Sequence, residues 1–94
     1  MLKIVSSNQF KKDLKLAIKR KLNIKLLDNI VSNLANNKKL DEKYKDHQLK
    51  GEYANFRECH IEADWLLIYR KNDKNLELFL LRTGTHSDLF EWDV

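Results

Sequence analysis

The spacing of hydrophobic positions changes along the chain, and each change marks an element. Residues 2 to 5, Leu-Lys-Ile-Val, alternate and end in two β-branched side chains, which predicts a short strand. The period then lengthens: Phe10, Leu14, Ala17 and Ile18 fall on one helical stripe, with Ser6 or Ser7 as N-cap and the end near Lys21. Asn23 caps a second helix, whose stripe is Ile24, Leu27, Ile30, Val31 and Leu34 and whose end lies near Asn36 and Asn37. So short a connection makes the pair an antiparallel hairpin. From Lys38 to Tyr53 the chain is polar and irregular. A period of two returns at residue 56, so that Phe56, Glu58 and His60 point one way while Arg57, Cys59 and Ile61 point the other. Trp65 to Tyr69 is nearly all apolar, as in a strand buried on both faces. After the turn signal at 71–75, Leu76 to Leu81 predicts a strand closing an antiparallel hairpin with Trp65–Arg70. In the tail, Thr85 or Ser87 caps a helical turn anchored by Leu89 and Phe90.

The connection between Ile61 and Trp65 sets the facing of the central strands. A three-residue turn, Glu62 to Asp64, places Leu66, Ile68 and Arg70 with Glu58 and His60, and Trp65, Leu67 and Tyr69 with Cys59 and Ile61 under the helices. Asp64 is then free at the rim. The predicted fold is α+β: an N-terminal strand, an antiparallel two-helix hairpin packed on an antiparallel β-sheet, and a short C-terminal helical turn.

Composition narrows this picture. Ninety-four residues are too few for two cores, so residues 1–94 are read as one domain. A content of 43% hydrophobic and 34% charged residues, with two Gly and no Pro, reads as a compact soluble protein rather than a disordered or membrane-spanning one. No apolar run approaches a bilayer span, and the N-terminus lacks a signal-peptide pattern, so a cytoplasmic protein with no membrane partner is expected. The single cysteine, Cys59, forms no internal disulfide and reads as a small core residue rather than a nucleophile. The net charge of +4 favours an anionic partner, nucleic acid first. Lys11, Lys12, Lys15, Lys19, Arg20 and Lys21 gather on the first helix as a surface that attracts phosphates.

All three histidines lie in or beside the polar ends of the predicted sheet: His47 before it, His60 on it and His86 after its last strand. Imidazoles and carboxylates can hold zinc or iron, but no two histidines stand at a compact ligand spacing. Cleavage of an RNA phosphodiester fits better. It needs a base for the ribose hydroxyl, cations for the phosphate and an acid for the leaving oxygen. His47, Glu58, His60, Asp64, Arg82 and His86 supply those groups with no metal or cofactor added. A noncatalytic module binding RNA or protein and a metal-dependent nuclease remain the alternatives.

Four blocks, Tyr44-Lys45-Asp46-His47-Gln48-Leu49-Lys50-Gly51, Phe56-Arg57-Glu58-Cys59-His60-Ile61, Asp64-Trp65-Leu66-Leu67-Ile68-Tyr69 and Arg82-Thr83-Gly84-Thr85-His86-Ser87-Asp88-Leu89-Phe90, resemble in order and spacing the YafQ-like branch of the RelE toxin superfamily. The resemblance implies the fold above and a toxin of a bacterial type II toxin-antitoxin pair. Such a toxin is an endoribonuclease, an mRNA interferase that cuts messenger RNA on the ribosome and is held inactive by a cognate antitoxin encoded nearby. The family's functional positions fall on His47, His60, Asp64, Arg82, His86 and Phe90. Glu58 stands where some relatives have aspartate. Gln48 and Ala63 replace prolines common in the motif, which implies a less rigid loop at His47 and a less rigid turn before Asp64. The implied roles are His86 as general acid and Arg82 on the scissile phosphate. His47, His60 and Asp64 position the nucleotide and share the base function, and Glu58 orients a histidine. Lys50, Arg57 and Phe90 are assigned to substrate binding.

Overall fold

A computed structural model describes residues 1–90. The first alternation becomes β1 (Lys3–Ser6) and the two helical stripes become α1 (Asn8–Lys19) and α2 (Ile24–Ala35). The Ser7 hydroxyl accepts from the Phe10 N–H at 2.9 Å and donates to the Leu81 carbonyl at 2.7 Å. One N-cap side chain thus starts α1 and fastens it to the sheet. Left-handed residues end both helices, Lys21 at φ 61° and Asn37 at φ 57°. Asn23 occupies its cap position without a side-chain hydrogen bond.

Four further strands follow: β2 (His47–Gln48), β3 (Arg57–Glu62), β4 (Trp65–Asn72) and β5 (Glu77–Gly84), and then α3 (His86–Phe90). The irregular segment contains two 3-10 turns, Glu42–Tyr44 and Gly51–Tyr53. The sheet order is β1-β5-β4-β3-β2, and every pairing is antiparallel except that of β1 with β5. The sheet is therefore mixed. The long chain between β1 and β5, which includes both helices, leaves β1 free to join the edge in the parallel sense.

The facing of β3 and β4 agrees with the sequence pattern, since Glu58 pairs with Ile68, Cys59 with Leu67 and His60 with Leu66. The turn itself differs. Glu62 pairs with Trp65, so the loop is the two residues Ala63 and Asp64, and the register shifts between His60 and Glu62. The bulge supplies the extra residue that a three-residue loop would have supplied, and it leaves the same side chains on each face.

On one face Phe10, Ala17, Leu27, Ile30 and Leu34 of the helices pack with Cys59, Ile61, Trp65, Leu67, Tyr69, Leu78 and Leu80. Burial pushes the Cys59 thiol up to about 12, helped by the charges of Asp46 and Glu58, which removes it as a nucleophile near neutral pH. On the opposite face Leu66, Ile68 and Leu89 form a smaller buried cluster, with Leu49, Phe56, Leu81 and Phe90 against it. Burying Leu89 contributes about 2 kcal/mol to the docking of α3. The rest of that face is open. No helix among the described residues is long and apolar enough to cross a membrane.

Candidate active site

β2 has only two residues, yet it decides the site, because His47 pairs directly with Glu58. His60 lies two residues further along β3 and therefore on the same face. The backbone turns through Lys45 at φ 50°, and the His47 Nδ1–H donates to the Lys45 carbonyl at 2.7 Å. His47 Nε2 is left to point at the carboxylate. Glu58 is only 6% exposed, and its Oε1 lies 3.6 Å from His47 Nε2 and 3.6 Å from His60 Nε2. One buried carboxylate oxygen thus stands between two imidazoles. Gln48, where the family motif commonly has proline, donates from Nε2 to the Ala54 carbonyl at 2.6 Å.

His86 arrives from the other side of β4. Gly84, opposite Leu66, ends β5, and a Cβ there would meet both Cβ and Oδ2 of Asp88 at 3.0 Å. Glycine is what lets α3 fold back so closely. Thr85 and Asp88 then cap each other: the Asp88 N–H donates to Thr85 Oγ1 at 3.1 Å, and the Thr85 N–H donates to Asp88 Oδ2 at 3.0 Å. His86 is the first residue of α3, and both its backbone N–H (2.9 Å) and its Nδ1–H (2.6 Å) donate to Asp64 Oδ1. These bonds, the backbone one first, hold the Asp64 carboxyl below its usual range. Nδ1 is committed to a carboxylate on a half-exposed ring, which leaves Nε2 as the nitrogen available for proton transfer. The rings of His47 and His60 are 6.4 Å apart between centroids, and those of His60 and His86 are 5.7 Å apart.

Arg20 fixes α3 from outside, donating to Asp88 at 2.7 and 3.3 Å. The guanidinium, more than the Thr85 bonds and against the cost of partial burial, pulls the Asp88 carboxyl down to about 2 from the ordinary 3.8. A carboxyl with a depressed folded-state pKa stabilises fully above the unfolded value and loses that contribution as pH falls through the folded one. The docking of α3 should therefore weaken between about pH 4 and pH 2, by under about 1 kcal/mol because the pair is partly exposed. An Arg20→Ala variant should lack most of this step in acid titrations followed by hydrogen exchange at Leu89. A step of equal size in the variant would assign it elsewhere.

Arg82 lies opposite Ile68 on the same face, but it is paired. Its Nε and Nη2 donate to Asp13 at 2.8 and 3.2 Å, and Asp13 also accepts the Thr83 N–H at 3.2 Å. Arg57 does not join the histidines. It lies on the other face of β3, opposite Tyr69, where Asp46 accepts from its Nε at 3.3 Å and from the Tyr69 hydroxyl at 2.6 Å. Lys50 is exposed on the loop after β2. Phe90 is half-buried with its ring 6.3 Å from that of Tyr53, while Leu89 is the buried anchor. Asp13 and Tyr53 take part without having stood out in the sequence, although Asp13 is the one carboxylate in α1. Arg20, read there as one of the phosphate-attracting cations of α1, is instead paired with Asp88. Among the described residues no cluster of three or more His, Cys, Asp or Glu side chains has the arrangement of a metal site.

The family model described as "Bacterial toxin of type II toxin-antitoxin system, YafQ" matches residues 2–91. The chain belongs to the YafQ toxin family. It is 45% identical over 85 residues to the mRNA interferase toxin YafQ of Escherichia coli K12, covering 89% of this chain and 90% of that one. Among solved structures, a metal-bound toxin from Helicobacter pylori matches with 49% identity and a TM-score of 0.91, covering 96% of this chain and all of that one. The E. coli DinJ-YafQ complex matches with 43% identity and a TM-score of 0.87, over 96% and 99% of the two chains. All six residues read as catalytic lie inside the span matched by the YafQ model.

Proposed function

We propose that this chain is the toxin of a type II toxin-antitoxin system, an mRNA interferase that cleaves messenger RNA on the ribosome. The observation that carries the reading is the convergence of His47 and His60 on the buried Glu58, with the His86 ring against that of His60, in a chain of the YafQ family. The reaction is attack of a ribose 2′-hydroxyl on the adjacent phosphate. The proton leaves the hydroxyl for a base, and the departing 5′-oxygen takes a proton from an acid, giving a 2′,3′-cyclic phosphate and a 5′-hydroxyl.

His86, held by Asp64 at Nδ1, is the acid. His47 and His60 share the base function and hold the nucleotide, and Glu58 fixes the direction of both rings. Arg82, with Nη1 outside the Asp13 fork, meets the phosphate. The exposed Lys11, Lys12, Lys15 and Lys19 of α1 contact the ribosomal RNA backbone. The partner that silences the toxin is a cognate antitoxin, by similarity to the E. coli DinJ-YafQ complex.

Primer extension on a reporter message after induction tests the reading. New 5′ ends in the message are the expected result. An unbroken message would leave a noncatalytic binder of the same fold.

A further inference from the structure

Arg70 differs from the other arginines. Arg20, Arg57 and Arg82 are each paired with an aspartate, whereas Arg70 has no carboxylate partner among the described residues. Its guanidinium lies instead against two rings, 5.0 Å from the centroid of Phe56 and 5.4 Å from that of Phe79. Rings on the faces of a guanidinium orient it without neutralising its charge, and its N–H edge stays available to an acceptor. A cleft of about 560 Å³ opens beside it, lined by Asn55, Arg70, Lys71, Asn72, Asp73 and Lys74, three cations to one carboxylate.

The position of this cation ties it to the histidines. Arg70 shares the face of Ile68 and Leu66, which pair with Glu58 and His60. Four residues of extended strand place it about 13 Å from Leu66. A run of aromatic rings adjoins Arg70, with Phe56 6.4 Å from Tyr53 and Tyr53 6.3 Å from Phe90, and both Phe56 and Phe90 pack against the Leu66–Ile68 cluster of that face. Bases stack on such rings without sequence preference.

From this arrangement we infer that Arg70 and its cleft form a second phosphate seat for the RNA strand whose scissile bond lies at the histidines. The inference rests on the RNA-cleaving function proposed above. The occupant is a single-stranded RNA backbone. Free cationic charge, stacking surface and continuity with the histidine face are together what such a strand requires, and an acidic protein segment has no use for the rings as base platforms.

The test uses the full chain and a fluorescein-labelled 15-nucleotide RNA with 2′-O-methyl riboses, which it cannot cut. Arg70→Ala should weaken binding about tenfold in fluorescence anisotropy. It should also flatten the log-log dependence on salt by about 0.7, the share of one phosphate contact on a single strand. Arg70→Lys, which keeps the charge, should recover most of that slope. A loss of affinity with an unchanged slope that lysine does not repair would make Arg70 structural and overturn the inference. So would unaltered RNA binding, or an effect confined to antitoxin affinity. Cleavage of ribosome-bound message separates the two levels: a wild-type chain that cuts while Arg70→Ala cuts and binds equally well sinks only the Arg70 seat. A wild-type chain that cuts nothing sinks the function, and this inference with it.

Discussion

His86→Ala should lower message cleavage by roughly 10²- to 10⁴-fold, the range that general acid catalysis supplies, while antitoxin affinity and thermal stability stay near wild type. The geometry separates the two effects. The His86 side chain is 54% exposed and packs no core, so its removal costs only a solvent-screened surface pair with Asp64. What disappears is an imidazole whose Nδ1 is held by a carboxylate at 2.6 Å. Asp64→Asn gives the complementary result: the acid is present but loosely held, and the rate falls by less. Single-turnover cleavage of ribosome-bound message, with a melting curve for each variant, measures both. Full activity in His86→Ala would remove this histidine from the chemistry.

The second large effect lies far from the histidines in sequence. Asp13→Ala should destabilise the fold by about 2–4 kcal/mol in urea unfolding, because four donors, two from Arg82 with the Thr83 N–H and the exposed Gln9 amide, lose their acceptor together. The Asp13 carboxylate is only 8% exposed and takes both arms of the Arg82 fork as well as the Thr83 N–H. Its loss strands a partly buried guanidinium and releases the arginine proposed to meet the phosphate, so cleavage should also fall, by about 10²-fold. Asp13→Asn retains an acceptor and should lie between. A variant within about 0.5 kcal/mol of wild type would show that the fork contributes little.

Much of the architecture could be read before any coordinates. The two-residue alternation from Phe56 to Ile61 determines which side chains share a face, and the bulge after His60 preserves that facing even though the turn has one residue fewer than expected. Ser7 and the polar residues at 36 and 37 mark helix ends through local hydrogen-bonding and left-handed preferences that act over a few residues. The mixed sheet was not legible, since strand direction at an edge leaves no mark on a four-residue pattern. Nor was β2, whose two residues are too short to show a period. The two-residue period turns Arg57 away from Glu58, and the structure keeps it there, opposite Tyr69. The Asp46 carboxylate that holds it becomes visible only once the chain is folded. The Asp13–Arg82 pair spans 69 residues, and such a distance hides any pair from local reading.

The thiol in the floor of the core has a practical corollary. Cys59 has no accessible surface and remains protonated through the working range, so alkylating reagents should pass the native molecule by. A second cysteine introduced on the exposed side of α1 would then be the sole reactive handle. A fluorophore attached there reports on docking without any need to mutate the native sulfur first.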